Sequence, residues 1–430
     1  MKIVYLCEMD KAQILKRALF DSLVKKILPG KVLVILGPRR TGKSFLLKQI
    51  LSVVNEKHLL LNGEDHAVVE LLQNRRVSNY KKMLGDVRLL VIDEAQKVPG
   101  IGLALKLMVD EIEDLKIIAT GSSMFDLDQN IGEPLTGRKN TFYLFPLAQM
   151  ELNQVENAVD IKNNMEDRLI FGSYPELQKL QSGEAKAEYL KEIVNSYLLK
   201  DILSLESIRN STKIHDLLRL LALQVGKQVS LEELGKQTGM SKNTVERYFD
   251  LLTKVFVIYR VQGFSRNLRK EIVKTSKWYF YDNGIRNTII ANHNPLHLRA
   301  DVSELWENYL LSERLKFQSY NNVLVNNYFW RTYSQQELDW IEDRGGKLYG
   351  YEFKWSESKL PKAPSAWVEN YPGAGFTLIN PGNYLDWITG ESDLFLPGKK
   401  VGENKKDKQK KKKSKAKTSA TLKKATKTKK

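Results

Sequence analysis

A single cysteine, Cys7, in 430 residues excludes a disulfide framework and any thiolate zinc cluster, and it fits a reducing compartment. Histidine is nearly as scarce. His58, His66, His215, His293 and His297 show no metal-ligand spacing, and Pro295 opposes the regular helix that would align His293 with His297. No apolar run approaches the ~18 residues that a membrane span requires, and residues 1–10 lack a signal-peptide pattern. These absences predict a cytoplasmic protein without a membrane partner. At roughly 150 residues per domain, the length predicts two or three domains, with no internal repeat.

The net charge of +17 sits mostly in one place. Residues 399–430 hold 16 Lys against Glu403 and Asp407, which is +14, so residues 1–398 carry only the remaining +3. The sizeable apolar residues of that tail are Val401 and Leu422, too few for a core of its own. It has no aromatic side chain to stack on bases. Such a tail would bind DNA or RNA through phosphates without sequence choice, or serve only to solubilise.

Short apolar runs alternate with helical spacing over the first 150 residues. Strands are expected at 31–36, 58–61, 88–92, 116–119 and 142–145, with helices at 43–54 and 101–113. That alternation predicts a parallel α/β sheet with its ligand site at the carboxyl ends of the strands. Residues 150–224 turn helical, including a stretch at 189–202. Aromatic strands return at 278–281, 328–331, 337–340 and 348–354.

The strongest signal follows the first strand. Gly37, Pro38, Arg39, Arg40, Thr41, Gly42, Lys43 and Ser44 spell G-x-x-x-x-G-K-S between a strand and a helix. The glycines let backbone N–H groups turn inward around a phosphate, and the helix N-terminus adds partial positive charge. Lys43 would contact the β- and γ-phosphates of ATP, and Ser44 would ligate Mg²⁺. The apolar run 89–92 ends in Asp93 and Glu94, suited to holding Mg²⁺ through water and to polarising the attacking water, respectively. The strand at 116–119 ends in Thr120, Ser122 and Ser123, any of which could face the γ-phosphate; Ser122 is the favoured candidate. Arg138 would act as an arginine finger, in a neighbouring subunit of a homo-oligomer, or as a surface ion-pair partner.

As a set, GPRRTGKS, LLVIDEAQ, IIATGSS, LTGR and FPLAQMEL resemble a prokaryotic family of AAA-type ATPases. Its members join an AAA core to a C-terminal domain of unknown function. The likeness continues through FGSYPE at 171–176, YLLKD at 197–201, residues 277–284 and WEN at 306–308, and spans about residues 10–390. It implies an ATP-binding core with a small helical lid, which Gly172 and Pro175 would help to close over the base.

In the middle, Ser230 is expected to begin a helix, Gly239 to break it and Ser241 to cap the next. This is a helix-turn-helix pattern whose second helix would offer Lys242, Asn243 and Arg247 to DNA, against Glu246 and Asp250 on the same helix. The alternative is a packing role. Further on, Asp339 ends one strand and Glu352 and Lys354 share a face of the next, with Glu307 on a helical stretch. This region resembles the PD-(D/E)xK nucleases. The resemblance implies a second Mg²⁺ at Asp339 and Glu352, completed by Glu307, with Lys354 acting on water.

The expected fold is therefore α/β throughout. A P-loop NTPase parallel sheet (1–150) precedes a helical lid (151–224) and a winged-helix-like unit (225–276). A small mixed α/β, restriction-endonuclease-like domain (277–398) and the Lys-rich tail (399–430) follow. The expected function is ATP hydrolysis driving conformational change in a nucleic-acid setting, with Mg²⁺-dependent nuclease activity attached. Its alternative is a nucleotide-dependent switch or scaffold that binds protein partners.

Overall fold

The computed structural model describes residues 15–123, 135–198, 211–266, 276–356 and 362–390. The Lys-rich tail and the end of the helical stretch expected at 189–202 lie outside them. Five strands open the chain: β1 (Val32–Leu36), β2 (His58–Asn62), β3 (Leu89–Asp93), β4 (Lys116–Gly121) and β5 (Lys139–Tyr143). They form one sheet in the order β2–β3–β4–β1–β5, with every neighbouring pair parallel. The run VLVIL of β1 is buried at every position, as a parallel sheet covered on both faces requires. At the edge, β2 instead alternates exposed and half-buried residues.

The associated helices are α1 (Phe20–Lys25), α2 (Lys43–Val53), α3 (His66–Gln73), α4 (Val77–Leu84) and α5 (Ile101–Glu111). Leu46 and Ile50 on α2, and Leu105 and Met108 on α5, recur at helical spacing and join Leu33, Ile35, Leu90 and Ile117 in one core. Each such fully buried side chain contributes about 1.5–3 kcal/mol. Because β4 lies between β1 and β3, the carboxyl ends of all three meet at one edge. The site is built there.

A helical segment follows: α6 (Gln149–Leu152), α7 (Ala158–Asn163), α8 (Met165–Phe171) and α9 (Gly183–Glu192). Then come α10 (Ser211–Leu223), α11 (Leu231–Thr238) and α12 (Lys242–Lys254). The Ser230 hydroxyl accepts from Glu233 N at 3.3 Å, Gly239 turns the chain at φ 62°, and Ser241 accepts from Thr244 N at 3.2 Å. Strands β6 (Ile258–Gly263) and β7 (Ser276–Phe280) pair antiparallel after α12, and Gln228 bridges to Lys277. The order here is helix, bridge, helix, helix, strand, strand.

These two strands do not end a domain. They continue into a six-stranded mixed sheet with β8 (Asn326–Arg331), β9 (Glu337–Arg344), β10 (Lys347–Phe353) and β11 (Gly375–Ile379), in the order β11–β10–β9–β8–β6–β7. The expected boundary between 276 and 277 cuts through this sheet. Helices α13 (Asn283–Ile289), α14 (Val302–Tyr320), α15 (Ser365–Asn370) and α16 (Tyr384–Thr389) complete the described chain. Trp330, Leu338, Ile341, Trp367 and Tyr371 form the core on one side. Among the described residues, no helix is long and apolar enough to cross a membrane.

Candidate functional site

The loop 37–44 leaves the buried end of β1 and enters α2 at Lys43. Gly37 is required by space: a Cβ there would lie 2.0 Å from the carbonyl oxygen of Leu144. Gly42 is required by conformation, with φ 92°. The Lys43 ammonium is buried and donates to the carbonyls of Gly37 at 2.9 Å and Pro38 at 3.0 Å, while the Thr41 hydroxyl donates to Pro38 O at 2.9 Å. Ser44, one residue on, is exposed. The loop thus stands closed on its own lysine, at the N-terminus of α2.

Opposite lie the ends of β3 and β4. The Thr120 hydroxyl donates to the carboxylate of Asp93 and accepts from the backbone N–H of Glu94 at 3.0 Å. Glu94 takes a left-handed backbone turn, φ 52°, directly after β3. Its carbonyl leaves room only for glycine at position 63, where a Cβ would meet it at 2.4 Å. The Gln96 amide nitrogen donates to Glu94 Oε2 at 2.5 Å and to Ser122 Oγ at 2.9 Å. Of the three candidate hydroxyls, Thr120 is therefore bound to Asp93, and Ser122 is joined to Glu94 through Gln96. The exposed Ser44 hydroxyl and the Asp93 carboxylate are hard oxygen donors, which suit Mg²⁺.

Arg138 stands elsewhere. It precedes β5, whose first residue pairs with Val32 at the start of β1, so it lies at the amino end of the sheet, away from the loop. There it pairs with Asp110 at 2.5 Å. A finger role would require a second subunit.

A cavity next to the loop is walled by Pro38, Arg39 and Ser122 on the core and by Tyr174, Phe256 and Asp282 from later segments. Asp282 is buried, which raises its carboxyl above the usual range; it accepts from Ser173 N at 2.8 Å and Ile285 N at 3.2 Å. Gly172, at the end of α8, is confined by Asp282, whose Oδ1 would meet a Cβ at 2.0 Å. The helices expected as a lid are thus locked to the segment around α13: Asn287 also donates to the carbonyls of Leu169 and Ile170.

The second expected site is brought together by the second sheet. Tyr351 pairs with Trp340, so Glu352 stands opposite Asp339, and Phe353 N donates to Asp339 Oδ2 at 2.8 Å. Lys354 meets Glu352 at 2.7 Å. Glu307 of α14 accepts from the Tyr279 hydroxyl at 2.5 Å and lies 3.7 Å from the Lys277 ammonium. Lys277 also meets Glu337 at 2.5 Å. Burial raises the carboxyls of Glu307, Asp339 and Glu352, although a lysine opposes it in each case. Burial would lower the Lys277 ammonium, but Glu307, Asp339 and Glu337 outweigh it and raise it. Among the described residues, no three His, Cys, Asp or Glu side chains converge so as to hold a metal ion. Beside Lys354, a second positive charge among these carboxylates is Lys277, which sequence reasoning missed. Its position in the apolar-aromatic stretch SKWYF was the available signal.

Residues 29–153 match the family model described as an AAA domain. Residues 162–296 and 303–397 match two models described as domains of unknown function, DUF8612 and DUF4143. The first match and the loop's geometry define the class: the chain carries an AAA-type P-loop ATPase domain of the ATP-binding kind. Among relatives, it is 24% identical to an uncharacterised protein of Mycobacterium tuberculosis over 380 residues, 87% of this chain and 80% of that one. It is 25% identical to an uncharacterised protein of Haemophilus influenzae over 336 residues, 72% and 80% of the two chains. A solved Walker-type ATPase of Pyrococcus abyssi covers 65% of this chain at 16% identity and TM-score 0.45, with 97% of its own length matched.

Proposed function

We propose that this chain is an ATP hydrolase in which the loop 37–44 binds the phosphates and Glu94 activates water. One observation carries the reading: Glu94, Gln96 and Ser122 form a hydrogen-bonded row at the strand ends that flank the loop. On ATP binding the Lys43 ammonium would exchange the carbonyls of Gly37 and Pro38 for the β- and γ-phosphates, a stronger charge-assisted pairing. Gly37, Pro38, Arg39, Arg40, Thr41 and Gly42 would supply the cradle. Ser44 and Asp93 would hold Mg²⁺, which supplies charge neutralisation at the phosphates. Glu94, held by Gln96, would take the proton of the attacking water, and Ser122 would face the γ-phosphate. The test is Lys43→Ala: nucleotide affinity should fall by at least ~100-fold with secondary structure unchanged, since a desolvated triphosphate loses its compensating charge. Affinity equal to that of the parent would end the reading.

The setting we propose is nucleic acid. Lys242, Asn243 and Arg247 are exposed on α12; Asn243 and Arg247 lie on the side away from the buried Val245, Phe249 and Leu252, while Lys242 pairs with Glu232 of α11 at 2.8 Å. The competing class is a nucleotide-dependent switch that binds proteins; ATP binding without turnover, with and without DNA or RNA, would favour it.

A second reading, Mg²⁺-dependent cleavage at Asp339 and Glu352 with Glu307 and Lys354, is supported by the strand register that sets Asp339 against Glu352. It requires the Lys277 ammonium to yield its place among the carboxylates. Cleavage of DNA or RNA with Mg²⁺ or Mn²⁺, lost in Asp339→Ala and Lys354→Ala, supports it. No cleavage with either metal, with or without ATP, leaves the domain an interaction module.

A further inference from the structure

Arg17 belongs to no motif, lies just ahead of α1 and is 4% exposed. A buried guanidinium must find acceptors for its N–H groups, so the atoms that accept are fixed together. Here they come from four separate parts of the chain. Nε donates to Glu151 Oε1 at 2.9 Å, and Nη2 reaches Glu151 Oε2 at 3.3 Å. Nη1 donates to the carbonyl of Thr41, inside the phosphate loop, at 2.6 Å. Nη2 also donates to the carbonyl of Phe145 at 2.8 Å and to the Tyr320 hydroxyl at 3.4 Å. That hydroxyl in turn accepts from Phe145 N at 3.1 Å.

Both flanks of the network are anchored. Glu151 accepts from the backbone of Ala18 at 2.8 Å and of Ala148 at 2.9 Å, so the carboxylate that orients Arg17 cannot swing away. Tyr320 is the last residue of α14. The same helix is bound to the segment after β5 through Lys316, which donates to Leu147 O at 3.0 Å, and Glu313, which accepts from Gln149 N at 2.6 Å. Thirteen residues earlier, about 20 Å along the axis at 1.5 Å per residue, α14 carries Glu307 into the carboxylate and lysine cluster.

We propose that Arg17 is a positioning residue of the nucleotide site, holding the Thr41 carbonyl of the phosphate loop and the Tyr320 hydroxyl of α14 in one network, so that loop shape and helix position are set together. The proposal rests on the ATP-binding reading above. Thr41 lies two residues before Lys43, so a loop freed from Arg17 presents its N–H groups to phosphate less well ordered. A bound triphosphate, by fixing the loop, also fixes the end of α14.

The test uses the full chain with Arg17→Lys, Tyr320→Phe and the double variant. ATP and ADP dissociation constants and steady-state kinetics with MgATP are measured well below each variant's unfolding temperature. Tyr320→Phe deletes one hydroxyl and leaves the Arg17–Glu151 pair intact, so it keeps the test decisive should Arg17→Lys fail to fold. The expected result is ATP affinity weakened about 5–20-fold in each single variant, with KM raised and kcat changed less than about threefold. The double variant should be no worse than Arg17→Lys alone, because both act through one network. A purely architectural Arg17 would lower the unfolding temperature and leave affinity unmoved, which would overturn the proposal. Losses that multiply in the double variant would overturn the link to Tyr320. Wild-type protein that binds no ATP would instead be a failure of the underlying reading, and is recognisable as such.

Discussion

The side-chain amide of Gln96 donates to the Glu94 carboxylate at 2.5 Å, two residues away along a left-handed turn. That bond sets which oxygen of Glu94 is free. It also ties the carboxylate to Ser122, since the same nitrogen donates to Ser122 Oγ at 2.9 Å. Gln96→Ala removes the restraint while leaving Glu94 itself. Turnover is expected to fall about tenfold or more, as a general base loses its aim, with ATP affinity within about threefold of the parent. Steady-state kinetics beside an ATP-binding titration decide it; unchanged kcat would show that Glu94 does not depend on Gln96.

Glu342, which is fully buried, makes the second sheet sensitive to acid. Burial alone would raise its carboxyl, but the Arg314 and Arg344 guanidiniums outweigh burial and hold it down to about 2. Arg314 Nε donates to it at 2.6 Å, Arg344 Nε at 2.7 Å and Gln318 at 2.8 Å. A carboxyl depressed on folding contributes stability that is complete above its unfolded value, about 4.3, and is lost as pH falls toward 2. Glu342→Gln should cost about 3–5 kcal/mol at neutral pH, because two buried guanidiniums then lose the carboxylate they share. Denaturant melts of parent and variant should converge between about pH 4.5 and 2. A gap independent of pH would remove the ion network as its cause.

Deleting residues 399–430 tests the tail by salt alone. If its 16 Lys neutralise phosphates, the slope of log affinity against log salt for DNA should flatten by about 0.9 for each phosphate no longer neutralised. A slope unchanged by the deletion would make the tail a solubilising segment.

What could be read in the sequence was what is local. The phosphate loop and the Asp93–Glu94 pair announce themselves by residue type at fixed spacing after apolar strands, and β1 and β3 end where those motifs begin. Ser230, Gly239 and Ser241 were equally legible, because caps and left-handed turns depend on neighbouring residues. Arg17, Gln96 and Lys277 were not, nor was the bond that ties the candidate hydroxyl of Thr120 to Asp93, since each acquires its partners only when distant strands and helices meet. Strand β9 was expected to stop at 340 but runs to Arg344. Its Glu342 and Arg344 are charged, yet both are buried, with Glu342 paired to Arg314 and to Arg344. Strand β6 was hidden because its apolar run follows directly on α12, whose buried face reads as one pattern with it.

The most direct measurement compares wild type with Glu94→Gln in two readouts on the same preparations: MgATP affinity, and phosphate release with and without DNA or RNA. Glutamine keeps the shape and removes the base. The account predicts affinities within about threefold of each other and a loss of turnover of at least ~100-fold in the variant. Phosphate release by Glu94→Gln equal to wild type, or a wild type that binds ATP and releases no phosphate under any condition, would contradict it.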